Sequence, residues 1–252
     1  MLDRNSQIAA VNAMDVANFD GVAADLKEIA LLPDDVEKLY VMHAEAIDSH
    51  LNTPEARGAG ALFVLCRKHL VLGATSLFRL YSAQMFRETR AAVEAAGIAR
   101  VIQIDPHSFK VFREDDGSEA ASKLARATFT SKLLFPFSIL HLKLLFDFYD
   151  IASRLSHTNG LTFSRHLGRD GVSGKTTFNY QDIQKGNYAR DLPHQLLWLC
   201  LAHVAILISS DVTFSGINAD LQKFNQARAN VYERIMRFKA VHERRFPDAG
   251  PA

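Results

Sequence analysis

The amino-acid sequence predicts an all-α fold, a single multi-helix, bundle-like domain with one short β-hairpin near residues 160–181. Three observations carry that expectation. Helix-start signals recur along the chain, at Pro33, Thr53-Pro54, Asp105-Pro106, Ser118 and Asp191. Apolar residues between these starts repeat at spacings of three and four, the period of a helix with one buried face. Only around "HLGRDGVSGKTTFNY", residues 166 to 180, do polar-alternating β-forming runs flank a glycine-rich centre.

Residues 1–52 read as an N-terminal helical extension, and residues 53–252 as the main helical domain. In the extension, Pro33 starts a helix and Asp34 and Asp35 face the positive end of its dipole. Val36, Leu39, Tyr40, His43, Ile47 and Leu51 then form its apolar line. Thr53 caps a second start, with Pro54 in the first helical position. A long helical run follows to about Gly97, read as its C-terminal stop, while Gly58, Gly60 and Gly73 argue against one unbroken helix.

Asp105-Pro106 opens a short helix, and "REDDGSE" is a solvated turn. Ser118 caps a helix reaching about Phe135, after which Pro136 either ends it or begins the helix carrying "FSILHLKLLFDFYDIASRL". The hairpin pairs Leu161 to Leu167 with Lys175 to Tyr180. Asp191 caps an apolar helix over 192–209. The last helix, from near Ser215 to Arg245, carries Ile217, Leu221, Phe224, Val231, Ile235 and Phe238 in a near-heptad line, with Arg228 and His242 on that line.

Composition narrows the function classes. Of 252 residues, 48% are apolar and 23% charged, and 29 basic residues stand against 28 acidic ones. A net charge of +1 gives no electrostatic argument for nucleic acid or an anionic membrane surface. The N-terminus lacks a basic stretch followed by an apolar core, so a cytoplasmic location is expected. The run "LPHQLLWLCLAHVAILI" has 17 residues, short of the ~20 that a span needs, and contains His194, Gln195 and His203. It reads as a buried helix, and no membrane partner is expected. Cys66 and Cys200, far apart in apolar runs, read as buried thiols.

The Gly-Lys-Thr at 174–176 invites a nucleotide-binding reading that the spacing rejects. A phosphate loop requires glycine five positions before Gly174, where Arg169 stands, and it must open a helix rather than the β-forming "TFNYQD". The ten histidines form no metal-ligand spacing, so neither a metal nor a cofactor is expected.

Two resemblances bear on function. "FRETRAAVEAAGIARVIQIDP", followed later by "FYDIASRLSHTNGLTF", resembles a group of bacterial all-helical proteins with an Arg-x-x-x-Glu helix and a Ser-x-x-x-His-Pro/Thr helix end. The matching residues are Arg90 with Glu94, then Ser153, His157 and Thr158, the last standing where proline is commoner. The similarity spans roughly residues 60 to 210 and implies a helical fold without implying a reaction.

Arg237 and His242, in "RFKAVH", resemble the Arg-x4-His pattern of the HEPN family of helical ribonucleases. That likeness implies metal-independent attack of an RNA 2′-hydroxyl on phosphate, assisted by the two side chains. Five residues at ~100° each set them about 140° apart on a straight helix, so a bend or a site shared between two copies is required.

Physical chemistry offers its own account of the first group. His157, at a helix exit, can serve the last free carbonyls, and Arg90 with Glu94 is an i, i+4 pair. If these side chains face inward they need polar partners, and a pocket follows. The leading expectation is a binding or interaction role, through a polar cluster of Arg87, Arg90, Glu94, Ser153 and His157 or through a helical surface, with a homodimer formed by the helix at 215–245. The alternative is a HEPN-like ribonuclease of a toxin or defence system, with Arg237 and His242 catalytic and RNA as partner.

Overall fold

The computed structural model describes residues 7–156, 167–169, 176–178, 183, 188–214 and 222–247. The protein is all-α. Helix α1 (Gln7–Leu26) leads through a 3-10 turn, Lys27–Leu31, into α2 (Leu32–Ile47). After a second 3-10 turn come α3 (Pro54–Phe78), α4 (Ser82–Ile104), α5 (Pro106–Glu114), α6 (Glu119–Thr128), α7 (Ser131–Leu134) and α8 (Leu140–Ser156). Strands β1 (Leu167–Arg169) and β2 (Thr176–Phe178) pair antiparallel with Gly168 opposite Thr177. Most of the hairpin expected near 160–181, including Lys175, lies outside the described residues. Helices α9 (Tyr188–Thr213) and α10 (Gln222–Arg245) complete the chain.

Side-chain caps start several helices. Thr53 Oγ1 accepts from the Ala56 amide at 3.1 Å, Asp105 accepts from His107 and Ser108, and Ser118 accepts from Ala121. Each satisfies an amide that the first turn leaves open.

Two boundaries differ from the sequence reading. The run from Pro54 to Gly97 is two helices packed against each other, α3 and α4, reversing at Arg79–Tyr81. Leu80 makes the reversal at φ +70°, a left-handed conformation unusual for a branched residue. Its side chain is fully buried, which offsets the backbone cost, and no glycine or proline announces the turn.

Gly97 is not a stop but lies inside α4, which continues to Ile104. A Cβ at Gly97 would meet Leu134 Cβ at 3.0 Å and Phe135 Cε1 at 3.1 Å, so the glycine admits the segment around α7. Arg100 ties the same segment down by donating to the Leu133 carbonyl. The helix from Ser118 correspondingly ends at Thr128 rather than near Phe135.

Helix α9 explains its own composition. It packs against α2, α3, α4, α8 and α10, so it is apolar on every side. Asp191 lies within its first turn rather than ahead of it. Helices α3 and α9 are both long and apolar enough to cross a membrane, and 72% of the apolar window of α9 is buried inside the protein, against 44% for α3.

Residues of the N-terminal segment, including Leu26, Leu32, Val36, Leu39 and Ile47, join the same core cluster as α3, α4 and α9. Two buried polar pairs in that core cross between helices. Tyr40 Oη and His203 Nδ1 lie 2.8 Å apart, and Ser82 donates to Gln195 at 2.6 Å. His43 sits among Phe63, Phe214 and Phe224. On the near-heptad line of α10, Phe224, Val231, Ile235 and His242 are buried, and Arg228 forms a two-pronged pair with Asp211 at 2.8 and 3.2 Å. Ile217 and Leu221, expected on that line, lie outside the described residues.

Candidate functional site

Of the polar residues singled out on α4 and α8, four are described: Arg87, Arg90, Glu94 and Ser153. Arg87 is exposed and donates to Gln84 at 2.8 Å. Arg90 is half-buried, with its guanidinium 5.5 Å from the centre of the Tyr149 ring on α8. Glu94 and Ser153 are half-buried on their helices, and His157 and Thr158 lie outside the described residues. This cation-over-ring contact between the two helices is one that spacing alone did not suggest.

Toward α3, helix α4 carries a hydrogen-bonded chain that the sequence reading missed. Gln84 donates to Glu88, whose other carboxylate oxygen lies 2.7 Å from His69 Nδ1 on α3. Residues 69 and 88 are on different helices, so no local motif connects them.

The second pair, Arg237 and His242, is divided by the helix that carries it. Arg237 is exposed, whereas His242 is buried at 6% exposure. That difference in exposure matches the ~140° separation of the two side chains on a straight helix.

His242 instead lines a cleft of about 570 Å³ where the end of α1, the start of α9 and the last turns of α10 meet. Leu26, Ile29, Leu192, Pro193, Phe238 and Val241 form an apolar wall, and Asp25, Tyr188, His242 and Arg245 supply the polar groups. The size and the mostly apolar lining suit a small molecule. Local chemistry shapes the α9 side. Pro193, the sixth residue of α9, has no amide hydrogen, so the Ala189 carbonyl loses its usual partner one turn later. Both residues line the cleft.

At the α9–α10 side of the cleft two imidazoles face each other. The His194 and His242 rings are 6.1 Å apart, and Nε2 of each is buried without a hydrogen-bond partner among the described residues. Burial lowers the pKa of both below the ordinary histidine value. Lys239 lowers His194 further, and His194 lowers His242, while the Arg190 backbone pulls it partly back up. Tyr188 at the cleft is held above the ordinary tyrosine range by burial, so its hydroxyl stays protonated.

Among the described residues, no group of three or more His, Cys, Asp or Glu is placed to hold a metal ion. After Lys175, Thr176–Phe178 is a strand rather than the helix that a phosphate loop opens. No protein-family model matches the chain, and no curated protein or solved structure matches it at a significant level.

Proposed function

We propose that the protein is a binding protein whose ligand is a small, largely apolar molecule with one polar end, held between α1, α9 and α10. The observation that carries this reading is the 570 Å³ cleft with its apolar wall and its few convergent polar groups. Its polar groups, the Asp25 carboxylate as acceptor and the Arg245 guanidinium and Tyr188 hydroxyl as donors, suit a ligand end that can both donate and accept a hydrogen bond. The location is read as cytoplasmic. The exposed Tyr232 and Met236 of α10 are the candidate self-association surface, and the strand pair 167–169 and 176–178 is read as the centre of a longer hairpin near 160–181.

The ribonuclease reading ranks second, because it needs Arg237 from another copy to reach a histidine that is buried in its own chain.

Titration with N-phenyl-1-naphthylamine, a neutral aromatic amine that fluoresces on leaving water, tests the binding reading. One saturable site per chain is expected. Val241, at 52% exposure, tolerates substitution without loss of core, so Val241→Arg should weaken binding about tenfold or more while leaving the helical circular dichroism unchanged. Absence of saturable binding, or equal binding by the variant, overturns the reading.

A further inference from the structure

The cleft wall contains a titratable element that the binding reading does not use. His194 belongs to α9 and His242 to α10, so the 6.1 Å between their rings spans the seam between the two helices. Leu192 and Pro193 on one side of that seam, and Phe238 and Val241 on the other, are cleft residues. A force that parts α9 from α10 at this seam therefore parts two walls of the cleft.

We propose that the His194–His242 pair is a proton-operated latch, which holds the cleft closed when both rings are neutral and releases the ligand when both are charged. This rests on the binding reading of the same cleft. Two imidazolium rings at this spacing in a partly buried seam repel each other and lose hydration that the seam does not replace.

Two carboxylates favour the charged rings, Asp191 beside His194 and Glu243 beside both, but burial outweighs them. Each is shared with a cation, Asp191 with Arg190 at 2.7 Å and Glu243 with Lys239 at 2.6 Å. Lys239 and Arg245 oppose further positive charge, and Asp25 lies across the cleft on α1. Phe246, with its ring 5.0 Å from that of His242, offers packing but no counter-charge. Neutral rings, by contrast, sit in the seam at little electrostatic cost, and both are held neutral at physiological pH by burial.

The experiment compares the wild type with His194→Gln, a residue outside the cleft lining, using N-phenyl-1-naphthylamine, which stays uncharged from pH 7.5 to pH 5. Wild-type affinity should fall about tenfold or more over that range and recover on return to pH 7.5, since each unit of pKa difference between bound and free states is a factor of ten. The variant should lose less than about threefold. Parallel pH profiles in the two proteins overturn the latch.

If the probe does not bind at pH 7.5, the binding reading fails and hydrogen exchange judges the latch alone. Amides of Phe238–Arg245 should lose protection at pH 5 in the wild type and keep it in His194→Gln, with α4 amides protected in both as the control for global opening. Equal protection of Phe238–Arg245 in the two proteins rejects it.

Discussion

Acid should destabilise this protein through two histidines sealed in its core, His43 at 1% exposure and His203 fully buried. Burial lowers the pKa of His43 to about 4 and that of His203 to about 3, with Arg228 adding to the first and His69 to the second. In the unfolded chain both return to the ordinary value near 6.5. A folded pKa below the unfolded one means that the unfolded state binds more protons as pH falls. Stability is then fully present above about pH 6.5 and is lost progressively toward the folded pKa.

Between pH 7 and pH 5 each histidine takes up nearly one more proton when unfolded, which costs about 2 kcal/mol per site and about 4 kcal/mol together. That is a large fraction of a typical domain's stability, roughly 5–15 kcal/mol. Carboxylates titrate mainly below this window, and His43→Phe isolates one histidine. Phenylalanine suits a site walled by Phe63, Phe214 and Phe224 and removes the titration. Urea denaturation at each pH should show the variant losing about 2 kcal/mol less than the wild type between pH 7 and pH 5. Identical losses in the two proteins would refute the assignment of a buried, neutral His43.

Two further outcomes follow from the packing. Gly97→Ala should destabilise by about 1–3 kcal/mol in thermal or urea unfolding, because the new methyl meets the Cβ of Leu134, which no rotamer change can move. Helix propensity alone gives the opposite sign, about 1 kcal/mol of stabilisation, so a more stable variant refutes the close-approach account. RNA incubated with the protein in EDTA should remain intact, since Arg237 and His242 lie on different sides of α10. Cleavage that disappears in both Arg237→Ala and His242→Ala would reinstate the ribonuclease.

What the sequence made legible is what local physics decides. Thr53, Asp105 and Ser118 cap helices because a side-chain oxygen a few atoms from a free amide needs nothing distant. The buried line of α10 could be read from its spacing, and Arg228 on it finds Asp211. Gly97 was misread because a glycine that ends a helix and a glycine that admits a neighbour look identical until the neighbour is placed. Leu80 gave no signal, since the burial that sustains its left-handed backbone comes from the folded core.

The same division separates His242 from the site it lines. Its position on the heptad line explains its burial, and the separation from Arg237 follows from helical geometry. The imidazole it faces, His194, reads in the sequence only as a polar interruption of an apolar run. The wall they share is assembled from three segments, around Asp25, Leu192 and Val241, that no spacing rule connects. A cleft of this kind is created by packing. A core that packs α9 on all sides still leaves the first turn of that helix, where proline interrupts the hydrogen-bond ladder, open against the last turn of α10. Helix ends are where backbone polar groups are left over, so a bundle whose helices are this well buried places its polar chemistry where two of them terminate together.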